Sequence, residues 1–224
     1  MARQLLKAAT AAFLLIGATP DAMTQGNPER ERDLLFAAER GELVTVRKLV
    51  AQGARINWRD HRGRTPLLAA TQRNQIEVAK FLIQEGADVN AKDLIQDTPF
   101  LFAGAEGRTE ILKLMLPAGA DLKDTNRFGG TALIPAAHRG HVETVKLLLT
   151  TKIDKDHVNN LGWTALMEAV VLGDGGSAHT EIVRLLVDAG ANASIPDRDS
   201  ITPLEHAKRR GYAEIVRILS AASR

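Results

Sequence analysis

Thr65, Thr98, Thr131 and Thr164 are spaced 33 residues apart, and Thr202 follows after 38, so the chain repeats itself with one insertion. Each Thr opens the same phrase: Thr65-Pro66-Leu67-Leu68-Ala69-Ala70, Thr98-Pro99-Phe100-Leu101-Phe102-Ala103, Thr131-Ala132-Leu133-Ile134-Pro135-Ala136, Thr164-Ala165-Leu166-Met167-Glu168-Ala169 and Thr202-Pro203-Leu204-Glu205-His206-Ala207. Nine residues beyond each Thr stands Asn74, Gly107, Gly140, Gly173 or Gly211. A second phrase then follows, as in Glu143-Thr144-Val145-Lys146-Leu147-Leu148, and ends in Gly86-Ala87-Asp88, Gly119-Ala120-Asp121 or Gly190-Ala191-Asn192. A fixed period of this length means copies of one supersecondary unit, which must stack because no copy can bury its apolar face alone.

The residue types specify the unit. Thr caps a helix by accepting a backbone N–H, and Pro just after it has no donor to leave unpaired. Ala at the fifth position past Thr lets neighbouring helices approach closely, and Gly or Asn at the ninth tolerates the left-handed conformation of a helix end. Apolar residues at helical spacing in the second phrase predict a second helix packed on the first. Asp60-His61-Arg62-Gly63, Asn126-Arg127-Phe128-Gly129 and Asn159-Asn160-Leu161-Gly162 then predict tight turns at a hairpin tip.

On these phrases the chain resembles the ankyrin-repeat family, marked by Thr-Pro-Leu-His-x-Ala on a 33-residue period, from about Asp33 to the C-terminus. The resemblance implies an all-α ankyrin-repeat solenoid of about six stacked helix-turn-helix repeats with projecting β-hairpin tips. The repeats fall at approximately 33–60, 61–93, 94–125, 126–158, 159–197 and 198–224, the first and last acting as caps. It also implies binding of other proteins through the tips and the concave face of the first helices. The family's His is replaced by Leu68, Leu101, Ile134, Met167 and Glu205, which removes the Thr-to-His hydrogen-bond ladder. Pro135 costs one donor in the first turn of its helix. The five extra residues, about Asp174 to Ala178, read as a mobile loop extension between two helices.

The N-terminus reads as an address. Arg3 and Lys7 precede the apolar run Ala8 to Ala18, which breaks at Thr19-Pro20-Asp21. The run is short of the ~20 residues a membrane span needs, so residues 1–26 are expected to be a cleavable signal peptide and the start of a linker, cut between Ala18 and Gly26, with 27–32 a polar linker. A periplasmic or secreted protein follows, with no membrane contact after removal; a cytoplasmic scaffold is the alternative if this segment is misread.

A net charge of +2 over 224 residues offers no broad basic field for nucleic acid. The absence of Cys excludes thiol chemistry and thiolate metal sites. No phosphate loop, nucleophile elbow or His-Glu-x-x-His helix occurs. His138 and His141 lack a carboxylate at ligand spacing, and Glu205 and His206 point apart on a helix. No enzyme, cofactor or metal is therefore expected.

Equivalent positions stack into columns on a solenoid surface. Three before each Thr the column reads Arg62, Ile95, Phe128, Leu161, Asp199, an apolar row of fingertips. Just before Thr it reads Arg64, Asp97, Gly130, Trp163, Ile201, and eight past Thr it reads Arg73, Glu106, Arg139, Leu172, Arg210. A tip cannot bury such apolar groups within its own repeat, so the row is expected to dock a partner. The expected anchors are Ile95, Phe128, Leu161, Trp163 and Leu172, with Arg62, Arg64, Arg73, Arg127 and Arg139 steering and orienting. The reading is a monomeric, non-enzymatic, exported module for a protein partner. The alternative within that compartment is an accessory factor supporting a particular enzyme, such as an oxidative-stress enzyme.

Overall fold

Thr65, Thr98, Thr164 and Thr202 stand in extended backbone, and their hydroxyls accept the N–H of Leu68, Leu101, Met167 and Glu205, so four of the five Thr phrases start a helix as their residue types require. The computed structural model describes residues 27–222. Among these residues the helices come in six pairs: α1 (Pro28–Arg40) with α2 (Leu43–Ala51), α3 (Pro66–Gln72) with α4 (Ile76–Gln84), α5 (Pro99–Ala105) with α6 (Thr109–Met115), α7 (Leu133–His138) with α8 (Val142–Leu149), α9 (Ala165–Val171) with α10 (Ser177–Asp188) and α11 (Pro203–Arg210) with α12 (Ala213–Ala222). Odd-numbered helices pack on one another in chain order, and even-numbered helices form a second row.

The Ala column explains how closely the first row packs. Ala37, Ala70, Ala103, Ala136, Ala169 and Ala207 are fully buried, one per repeat. Gly104 is tighter still, since an added Cβ would lie 2.8 Å from Ala132 Cβ. Leu67, Phe100, Leu133 and Leu166 fill the space between the rows against Leu82, Leu112, Leu148 and Leu186 in one continuous core. Burial of this kind, at roughly 25 cal/mol per Å² of apolar surface, drives the stacking.

Each tip is tied by one Asp or Asn. The side chain of Asp60, Asp93, Asn126, Asn159 or Asp197 accepts two backbone N–H groups, from the residues two and four further on. Neighbouring tips are joined through the backbone, with Leu94 donating to the Arg62 carbonyl at 3.0 Å and Asn160 to that of Phe128 at 2.9 Å. The tips are turns, and no strand occurs among the described residues.

Four expectations are corrected. Residues 27–32 are no linker: Asn27 caps α1 by accepting from Glu29 and Arg30, and Glu31 is buried, accepting from the Arg55 backbone and guanidinium. Thr131 does not cap. In the other phrases the fourth residue past Thr donates to the Thr carbonyl, but Pro135 has no N–H, so Ile134 takes that carbonyl at 3.2 Å and the buried Thr131 hydroxyl is left without a partner. Gly173 is not left-handed; the insertion moves that role to Gly175, φ 70°. The insertion is also built into the fold, because α10 begins within it at Ser177 and the Asp174 carboxylate accepts from Gly176 N–H and pairs with His179 Nδ1, both at 2.8 Å. The His179 ring reaches the His138 carbonyl at 2.8 Å, and Tyr212 Oη donates to the Gly173 carbonyl at 3.1 Å. The expected signal peptide lies outside the described residues. Among those described, no helix is long and apolar enough to cross a membrane.

Candidate partner-binding groove

Stacking aligns three columns on one side of the solenoid: the fingertips, the positions four past Thr, and the helix ends eight past Thr. Across the third, fourth and fifth repeats they enclose a groove of about 470 Å³. Ile95, Phe128 and Leu161 form the fingertip wall, each about half exposed. Phe102 and Pro135 line the middle, and Leu172 stands exposed at the helix-end side. Apolar groups left open in this way are what a fully desolvated anchor site requires.

The charges around the groove are arranged in pairs. Arg127 lies over the Phe128 ring, 4.7 Å from its centroid, and 3.8 Å from Asp97. Arg139 bonds the Glu106 carboxylate and the Ala105 carbonyl. Burial, and then the nearby Asp93 charge, raise the Asp97 carboxyl above its ordinary range, against Arg127. Glu168 lies almost wholly buried, with Asn159 Nδ2 donating to its Oε1 at 2.7 Å and His138 Nδ1 3.6 Å from its Oε2. Burial pushes its carboxyl up to about 7, and the Asn159 hydrogen bond only partly offsets this. Burial together with the Arg139 and His179 charges holds His138 below its ordinary value, so its neutral form is favoured.

The groove therefore unites Ile95, Arg127, Phe128, Arg139, Leu161 and Leu172 of the expected residues and leaves out the other four. Arg64 is buried, with Nε 2.9 Å from Asp60 and Nη1 3.1 Å from Gln72 and 3.5 Å from Glu39, so it ties its own tip to α3 and α1. Trp163 is half-buried, its backbone N–H donating to Asn159 Oδ1, and it does not line the groove. Arg62 and Arg73 are exposed but lie toward the N-terminal end, Arg73 3.4 Å from Glu39. Phe102, Pro135, His138, Asn159 and Glu168 were not expected at the site. Reading the column four past Thr would have found three of them together. Among the described residues no cluster of His, Asp or Glu could hold a metal ion.

The family model described as ankyrin repeats (3 copies) matches residues 3–93 and 100–197. The crystal structure of an ankyrin repeat domain from Acinetobacter baumannii AYE is 53% identical, with a TM-score of 0.84 over 86% of this chain and 98% of that one. That of EF0377, an ankyrin repeat protein, is 44% identical, with a TM-score of 0.81 over 84% and 96%. The ankyrin repeat domain of Bcl-3, of the IkappaB protein family, is 29% identical, with a TM-score of 0.76 over 85% of each chain. An ankyrin repeat protein of Escherichia coli (strain K12), YahD, is 47% identical over 55 residues, a match that spans 27% of its length and 25% of this chain. Ankyrin repeats are units of protein–protein interaction, and both the stack and its exposed inner groove suit that use. With the model matched over most of its length and the same fold in relatives this similar, the chain belongs to the ankyrin-repeat family.

Proposed function

We propose that this chain is a non-enzymatic module, exported from the cytoplasm, that binds a partner protein in the groove between the fingertips of its third to fifth repeats and the ends of α5, α7 and α9. One observation carries the reading: Ile95, Phe128 and Leu161 stay exposed on adjacent tips while facing Phe102, Pro135 and Leu172 across a common groove. A rigid stack holds these anchors in place before the partner arrives, so little ordering cost is added on binding. Arg127 and Arg139 at the rim orient the partner and set its rate of approach.

The test replaces Ile95, Phe128 and Leu161 together by Ser and compares partner capture with the parent protein. These side chains make only part of their contacts within the fold, so the melting temperature should hardly move, while capture should fall by the equivalent of about 2 kcal/mol or more. Unchanged capture would refute the groove; a melting temperature well below the parent's would make the row a packing device. Export is tested by intact-mass measurement after expression in a Gram-negative host, which should show a mature N-terminus between Thr19 and Asn27. A soluble species retaining Met1 would overturn it.

A further inference from the structure

Four past each Thr, and at the matching place in the first repeat, the groove-side column reads Phe36, Ala69, Phe102, Pro135, Glu168, His206. Glu168 places a carboxylate at a depth where its neighbours Phe102 and Pro135 are apolar. It is only 6% exposed. Among the described residues its carboxylate accepts one hydrogen bond, from Asn159, and the orientation of that amide is dictated elsewhere. Asn159 Oδ1 accepts from Leu161 and Trp163 in the turn, which leaves its Nδ2 aimed at Glu168 Oε1. Among the described residues none donates a hydrogen bond to Glu168 Oε2; His138 Nδ1 stands 3.6 Å from it, beyond hydrogen-bonding distance, on a ring that is cationic only when protonated. A buried carboxylate with one open oxygen is costly, and a cation entering the groove would relieve that cost.

The other formal charges of the groove already cancel, Asp97 with Arg127 and Glu106 with Arg139. One negative charge remains, beside Leu161 and Leu172. A Lys or Arg side chain suits this place, because its aliphatic stem can lie along apolar walls while its head reaches a carboxylate. A basic side chain without apolar neighbours would leave the Phe128 and Leu161 wall uncovered.

We propose that the groove takes an extended segment of a partner protein in which a Lys or Arg is flanked by aliphatic residues, with the cationic head on Glu168 Oε2 and the flanking side chains against Phe128, Leu161 and Leu172. This rests on the reading of the groove as the partner site. His138, standing beside the same oxygen, competes for it when protonated, as does a proton on Glu168 itself. The other ionisable groups around Glu168 are committed: Arg139 to Glu106, Arg127 to Asp97, His179 to Asp174 and the His138 carbonyl, and His206 to Asp197. The segment should therefore bind more tightly at about pH 8 than at about pH 6.

A displayed library of random dodecapeptides, selected on the full chain, tests this. The recovered peptides should share a Lys or Arg next to aliphatic residues. A synthetic copy of one should lose at least about tenfold in affinity on Glu168→Gln, and as much when its basic residue is replaced by norleucine. The two losses should not add, and the pH dependence should vanish in the Gln variant. Recovered peptides without a common basic residue, full affinity for Glu168→Gln, or no recovered peptide at all would overturn the proposal. The Ile95, Phe128, Leu161 triple Ser variant separates the two readings. If it loses the peptides while Glu168→Gln keeps them, the groove stands and the basic pocket falls; if it keeps them, both fall.

Discussion

Glu168→Gln should stabilise the protein, and by an amount that depends on pH. The Gln side chain keeps an oxygen for Asn159 Nδ2, nearly fills the same volume and removes the charge. In the unfolded chain the Glu168 carboxyl titrates near 4.5; in the fold, burial moves it to about 7. Below about pH 4.5 both states hold the proton and the charge costs nothing. Between these values the folded state keeps a proton that the unfolded state has released, so stability falls as pH rises, and above about pH 7 the full cost is present. The separation corresponds to at most on the order of 3 kcal/mol, since water in the groove screens part of it. Urea unfolding of both proteins between about pH 4 and about pH 8 measures it. The Gln variant should match the parent at the acid end and exceed it by up to that amount at the alkaline end. A difference that does not change with pH, or a Gln variant less stable at about pH 8, would refute the account of Glu168 as a desolvated, under-compensated carboxylate.

Two further substitutions probe the stacking. Ala136→Leu adds bulk where α7 has no free space, and should cost on the order of 1–3 kcal/mol in chemical denaturation; a neutral result would mean that the repeat register is wrong. Tyr212→Phe removes the hydroxyl that holds the Gly173 carbonyl and should cost about 1 kcal/mol, whereas an insertion that is a free loop would give no change in melting temperature.

Much of the fold was legible because its signals are local and repeated. Thr-Pro at a helix start, Gly or Asn at its end and an Asx turn at each tip act within a few residues. Their recurrence every 33 residues leaves one architecture that can bury the apolar faces. The apolar fingertips were legible for the same reason, since register alone puts Ile95, Phe128 and Leu161 on adjacent turns. Arg64 was not, because its burial depends on Glu39 and Gln72 from two other segments converging on its guanidinium. The segment at 27–32 read as a linker because its charges hid a helix start. Glu31 is buried only because Arg55, 24 residues away, meets it.

By itself the sequence determined the period, the caps, the turns and which side chains share a column, because each follows from short-range backbone preference and from helical spacing. Tertiary structure alone decided how deep each column lies and what stands opposite it. Glu168 and Leu172 are only four residues apart, yet one is a buried carboxylate with an open oxygen and the other an exposed apolar edge. Burial and charge compensation are properties of the space between repeats. That space is formed by the turn at Asn159, the helix end at His138 and the tip at Phe128, brought together by packing.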